Sequence, residues 1–176
     1  MKLAHLSQRF FRALWPGPAR RDDLAWAESI LAPGAMADFR RLPHHDQRHA
    51  LGVGREVQAQ LAGSPEADDS LWLAAALLHD IGKLDARLGV YGRVVATMSG
   101  AVAGRRMAEA WSERRGFTRR IGLYLRHPEL GASRIRLAGG PEEAAQWAEA
   151  HHAPDTWSTL ALPPAVVAAL DAADND

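Results

Sequence analysis

The most apolar segment of the chain, from Ser70 to His79, predicts a buried helix. Its sequence, SLWLAAALLH, is apolar on nearly every side of a helix, and such a helix lies inside a core. The polar run before it, residues 63–69, is typical of a loop and ends in an acid suited to capping the helix. These residues therefore predict the central helix of the fold.

Amphipathic patterns predict helices on both sides of this segment. Upstream, apolar residues recur at helical spacing from near Pro43 to about Leu61. Residues 1–21 form an amphipathic start broken at Trp15-Pro16-Gly17-Pro18, and Pro33-Gly34 is expected to close a helix that begins at Asp22 or Asp23 and runs through Leu31. Further helices are predicted near residues 88–98, 100–114, 117–126, 129–138, 141–152 and 163–174.

Composition agrees with a helical protein of ordinary domain size. The chain has 176 residues, of which 47% are hydrophobic, and helix formers such as Ala and Leu dominate. We expect an all-α fold with a single helical bundle over residues 36–176 and an N-terminal helical segment over residues 1–35.

Charge and residue usage exclude several classes of function. The formal net charge is zero, so the chain lacks the positive field of a nucleic-acid binder. There is no cysteine, which excludes disulfides and thiolate metal sites, so any metal must be held by imidazole or carboxylate. No stretch is long and apolar enough to predict a membrane span, and the start does not resemble a secretory signal, so we expect a cytoplasmic protein.

The adjacent pair His79-Asp80 is the strongest candidate for chemistry. The predicted buried helix ends by presenting an imidazole and then a carboxylate, whose two oxygens can bridge two ions in a hydrolytic site. Taken alone, such a dipeptide is more often a helix end with an exposed acid. That alternative weakens because other potential ligands recur at the ends or on the faces of predicted helices: His49, His127, His151, His152 and a late aspartate.

This ordered set resembles the HD superfamily of metal-dependent phosphohydrolases, over about residues 41–176. The resemblance implies an HD-domain bundle in which His49, His79, Asp80 and a late Asp are the core metal ligands. The extra histidines look more like the dinuclear branch that includes the HD-GYP phosphodiesterases. That likeness makes a second metal site of His127, His151 and His152, with Asp80 bridging the two ions.

Two ligand assignments stay open at this stage. The late ligand is either Asp174 or Asp171, and we choose Asp174 because its Ala-Ala-Asp context is closer to the family's late pattern. His45 lies where some members of the dinuclear branch carry a glutamate, but a solvated histidine one turn before His49 is the favoured interpretation. The Gly-Tyr-Pro signature is absent, which argues against hydrolysis of cyclic di-GMP.

The resemblance implies a small phosphorylated substrate, such as a nucleotide, cleaved by a metal-activated water. Asp80 and Lys83 are the expected catalytic residues, with Lys83 contacting substrate phosphate, and Arg48, Arg87, Arg93 and Arg126 are further candidates for gripping it. Imidazole and carboxylate ligands suit one or two divalent ions among Mn, Fe, Ni, Co, Zn and Mg. The alternatives are a non-catalytic HD module that binds a nucleotide or partner protein with a structural metal, and a helical scaffold whose histidines are incidental. The sequence does not decide the oligomeric state.

Overall fold

The structure, a computed structural model, describes residues 17–67 and 69–175, except the side chains of residues 101–103 and 105. The predicted amphipathic pattern of residues 1–16 lies outside this range. All regular structure in the described residues is helical, as expected. Within the same residues, no helix combines the length and apolar character that crossing a membrane requires.

Ten α-helices and one 3₁₀ helix follow one another through the described residues. They are α1 (Arg21–Ile30), α2 (Pro33–Arg41), α3 (His44–Gln60), α4 (Ser70–Leu78), α5 (Lys83–Ala86), α6 (Val90–Ser112), α7 (Gly116–Leu125), α8 (His127–Leu137), α9 (Glu142–Ala150), a 3₁₀ helix (Pro154–Thr159) and α10 (Pro164–Asn175).

Helix α4 is the centre of the bundle, as its apolar sequence predicts. Asp69 caps it by accepting a hydrogen bond from the Leu71 amide at 2.9 Å, and every residue from Trp72 to Leu78 is buried. Helices α3 and α9 pack against it, and α10 packs against α3. These neighbours carry the other histidines and the late aspartates, so the packing around α4 brings the ends of several helices together.

One main core runs from the first to the last described helix. Phe39 of α2, Trp147 of α9 and Leu170 of α10 are all fully buried in the same cluster as α4. A second, smaller cluster around Ala86, Leu88, Ala96 and Ile121 lies where α5, α6 and α7 meet. The core thus extends continuously across residue 35.

Several predicted boundaries are wrong. Pro33-Gly34 does not merely close α1 but begins α2, because proline fits the first turn of a helix, where its missing N–H is not needed. The expected break near residues 98–100 does not exist, and α6 instead bends at Gly104, whose φ of 69° only glycine adopts readily. Helix α5 and the 3₁₀ helix were not predicted, since each is too short to show a period.

Candidate metal centre

The His79-Asp80 pair lies at the buried end of α4. His79 is the C-cap residue and is 1% exposed, and Asp80 follows it at 4% exposure. The chain then turns through Gly82, where an added Cβ would overlap the carbonyl oxygen of His127. A glycine is therefore required at this turn, because it lets the start of α8 lie directly against the pair.

Four helices and the turn after α4 bring the candidate ligands into two adjacent groups. In the first, His49 of α3, His79 and Asp174 of α10 have ligand atoms within 4.8 Å of one another. In the second, His127 of α8 and the pair His151-His152 after α9 meet the same limit. All residues that the sequence singles out as ligands thus lie in one of these groups or, in the case of Asp80, beside them.

Asp80 lies between the two groups. Its Oδ2 is 3.4 Å from His79 Nε2, and its Oδ1 is 3.3 Å from His127 Nε2 and 3.8 Å from His151 Nε2. Lys83, one turn further along, forms an ion pair with Oδ2. One carboxylate therefore faces both groups of histidines, which is the arrangement a bridging ligand requires.

Three of the rings are oriented by carbonyl groups at the ends of helices α4, α7 and α9. The Nδ1 atoms of His79, His127 and His151 donate to the carbonyl oxygens of Ala76, Tyr124 and Ala148, at 2.8, 2.7 and 2.8 Å. The Nε2 atoms of the same three rings are buried and make no hydrogen bond within the described residues. Buried polar atoms are usually paired, so three such nitrogens converging on one carboxylate indicate a place for a ligand.

The late aspartates differ in their surroundings. Asp174 Oδ1 accepts a hydrogen bond from His49 Nε2 at 3.0 Å and is 3.5 Å from His79 Nε2. Asp171, in contrast, accepts hydrogen bonds from the Asn175 amide at its backbone and side-chain oxygens. The position of Asp174 supports its assignment as the late ligand.

The electrostatics of the centre are dominated by its two carboxylates. Burial alone would lower the pKa of His79, but Asp80 and Asp174 outweigh it and raise the pKa to about 10. Burial would raise the pKa of Asp80, yet Lys83 and His79 hold it well below its usual range. Burial and the neighbouring His152 keep the pKa of His151 low, so that ring stays neutral. The carboxylates of Asp80 and Asp174 and the neutral ring of His151 are in the forms that metal ions bind, and an ion at this centre would take the place of the proton on His79.

A buried ion pair beside the centre was not predicted. Both guanidinium NH groups of Arg93 donate to the two carboxylate oxygens of Asp46 at 2.6 Å, and the Lys83 ammonium and the Arg93 guanidinium lie 5.9 and 6.0 Å from the Tyr124 ring centre. Arg93 is therefore held by Asp46 rather than free to grip phosphate. An acid in the first turn of α3 was visible in the sequence, but its partner, 47 residues away, was not.

His45, expected to be solvated, is partly buried. Its side chain is 19% exposed, and its Nε2 atom lies 3.4 Å from Asp46 Oδ1. Burial lowers its pKa despite the nearby carboxylate of Asp46. The side chain of Arg93, from α6, reaches the neighbouring Asp46, a contact that the sequence pattern did not show.

Comparison with known families assigns most of the chain. Residues 47–176 match the family model described as HD domain. The match includes Lys83 and all candidate ligands from His49 to Asp174, but not His45. Neither the curated proteins nor the solved structures gave a match.

Proposed function

The chain belongs to the HD domain family of metal-dependent phosphohydrolases, and from that premise we propose that it hydrolyses a phosphate ester, such as a nucleotide, with two divalent ions. The buried Nε2 atoms of His79, His127 and His151, all facing Asp80, carry this proposal. Rings whose Nδ1 donates to a carbonyl present the lone pair of Nε2 outward, as metal-ligating histidines do.

The donor set fits the ions in number and kind. We assign His49, His79 and Asp174 to one ion and His127, His151 and His152 to the other, with Asp80 shared between them. Nitrogen and oxygen donors without sulfur suit Mn, Fe, Ni, Co, Zn or Mg. When bound, such ions lower the pKa of water and neutralise phosphate oxygens as charge develops.

Lys83 is the proposed phosphate contact. Burial would lower its pKa, but Asp80 raises it above the usual value, so the ammonium stays charged at neutral pH. It lies beside Asp80 and carries three donors, of which the carboxylate cannot use all. The remaining donors can hold a substrate phosphate oxygen next to the shared carboxylate.

We propose that the substrate is a small phosphorylated molecule. We also propose that the protein is located in the cytoplasm. We infer no nucleic-acid substrate, because the net charge of the chain is zero. The absence of the Gly-Tyr-Pro signature argues against cyclic di-GMP as the substrate but leaves the proposed two-ion site unchanged.

Metal analysis combined with an activity screen tests the proposal. Protein loaded with Mn²⁺, Fe²⁺ or Ni²⁺ should hold about two ions per chain and cleave bis(4-nitrophenyl) phosphate or 4-nitrophenyl phosphate. His79→Ala and Asp80→Ala should abolish cleavage while the helical circular dichroism is kept. His44→Ala, which removes an exposed histidine from the same helix as His49, is the matched control and should keep both metal and activity.

Three other outcomes would contradict the proposal. Tight binding of a nucleotide without turnover would favour a non-catalytic module with a structural metal. Absence of bound metal together with inactivity under all three ions would favour a helical scaffold. Equal losses in His79→Ala and His44→Ala would show that the buried centre has no special part in the reaction.

A further inference from the structure

A concave surface away from the candidate metal ligands is lined mainly by arginine and leucine. It is a groove of about 910 Å³ between α5, α7 and α8, with the end of α2 at its edge. Five arginines line it: Arg41, Arg87, Arg119, Arg120 and Arg134. None of the candidate metal ligands does, so the groove is separate from the centre described above.

Two of these arginines are already neutralised by acids. Arg134 donates to both oxygens of Asp85, at 2.9 and 2.7 Å, and to Asp38 at 2.9 Å. Arg41 also donates to Asp38, at 2.8 Å. Because these two arginines are paired with acids, the uncompensated positive charge of the groove comes from the other three arginines.

The other three guanidinium groups have no ion-pair partner among the described residues. Arg120 donates its Nε–H to the neutral carbonyl of Ala86 at 3.0 Å, which fixes the side chain without cancelling its charge. Arg87 and Arg119 are exposed to solvent at the groove. Three like charges around one concavity repel one another, and an anion bound among them would relieve that repulsion.

The backbone of Arg87 is a second, independent sign of a binding role. It ends α5 in the left-handed region, with φ 48° and ψ 36°, and is the one residue other than glycine with a positive φ in the described chain. Glycine or asparagine is the usual choice there, because a larger side chain is strained. Strain of this kind is typically found where a side chain must be held in a particular place for a ligand.

We infer that this groove binds a small polyanion that carries at least two phosphate groups. Three guanidinium charges exceed the charge of about −1.5 to −2 that one phosphate group carries at pH 7, so a ligand with two phosphates balances them better. Four leucines in the lining offer apolar surface to the remainder of such a ligand. The site needs no metal ion and would be occupied independently of the metal centre.

Calorimetric titration with inorganic pyrophosphate and with ADP, in excess EDTA, tests the inference. Both should bind the wild-type protein, more weakly as ionic strength rises. Arg87→Gln combined with Arg119→Gln should weaken both by about tenfold or more, because each lost guanidinium removes charge-assisted hydrogen bonds. Tighter binding of ADP would identify a nucleotide as the source of the phosphates, and equal binding a free polyphosphate.

Matched variants separate this site from net charge and from the metal centre. Arg20→Gln combined with Arg21→Gln removes the same charge from exposed positions outside the groove and should change either affinity by less than about twofold. Asp80→Ala should bind pyrophosphate as the wild type does. The inference fails if the wild type binds neither probe, if both arginine pairs lose affinity equally, or if Asp80→Ala abolishes binding.

Discussion

At the scale of single residues, the centre depends on charges that balance one another in a buried place. The carboxylate of Asp80 lies against His79, His127 and Lys83 at once. The role of each partner can therefore be separated only by changing one residue at a time. Lys83 is the member whose loss should affect substrate rather than metal.

We expect Lys83→Ala to keep its metal content and to lose about 100-fold in kcat/KM, the usual effect of removing one donor to a developing anion. Lys83→Arg, which keeps the charge, should recover part of the activity. Elemental analysis of each variant beside steady-state kinetics measures both effects. A loss of metal in Lys83→Ala would show instead that the ammonium supports the ligands.

The Arg93–Asp46 pair gives a prediction about stability and pH. Burial raises the pKa of Asp46, but Arg93 outweighs it and holds the pKa below the ordinary value. The stabilisation is therefore complete above the unfolded-state pKa of about 3.9 and is lost as pH falls through the lower folded-state pKa.

Asp46→Asn should accordingly lower the free energy of unfolding by about 3 kcal/mol at pH 7, since it leaves a buried guanidinium without its anion. The difference from the wild type should shrink as the pH is lowered toward the folded-state pKa of Asp46, below 3.8. Urea denaturation at a series of pH values measures this difference in the free energy of unfolding. Asp155→Asn, at an exposed position, is the control and should be as stable as the wild type at each pH. A constant difference across the series would exclude the ion pair as its cause.

At the scale of elements, the turn after α4 positions both the shared carboxylate and the start of α8. Gly82 has no room for a side chain, since an added Cβ would also lie 2.6 Å from the Gly131 nitrogen. Gly82→Ala should therefore push α8 away and separate His127 from Asp80.

We expect Gly82→Ala to lose metal binding. Its free energy of unfolding should fall by about 1–3 kcal/mol, as it does when a packed site receives extra atoms. Gly52→Ala is the matched control, because Gly52 lies inside α3 with nothing within 4 Å of the added Cβ. That variant should gain about 0.5–1 kcal/mol, since alanine favours a helix. Thermal denaturation and metal analysis of the two variants measure these effects. Equal stability and equal metal content in the two variants would contradict the role of Gly82.

The elements also show what sequence alone could supply. Helix α3 was predicted from its apolar periodicity and α4 from its continuous apolar sequence, and both patterns are set by the core that these helices face. The start of α2 and the bend of α6 were not, because Pro33 and Gly104 each suit both a helix and a break, and tertiary packing decides between them. The candidate ligands were identified from motif order. The Arg93–Asp46 pair was not, because its two residues are 47 positions apart and no local pattern joins them.

At the scale of the whole molecule, one core joins helices α1 to α4 with α8 to α10, and the candidate ligands come from helices distributed along it. A metal that binds only the folded chain should therefore stabilise all of it at once. Calorimetry should show a single unfolding transition that includes α1 and α2.

Saturating metal should raise the midpoint temperature of that transition. One ion, at 100 times its dissociation constant, adds about 2.7 kcal/mol to the free energy of unfolding. Asp174→Ala should reduce the shift, and Asp171→Ala, on the same helix, should keep it. Two separate transitions, or a shift unchanged in Asp174→Ala, would contradict the link between the centre and the core.

The three rings held by carbonyl groups three residues before them also bear on how the centre would exchange ions. Because Ala76, Tyr124 and Ala148 fix His79, His127 and His151 locally, the donors are pre-organised, and binding requires little further loss of conformational entropy. Replacing one divalent ion with another then needs no backbone rearrangement. Selection among ions would then depend on the fixed positions of the donors, on their nitrogen and oxygen chemistry and on the supply of each ion in the cell.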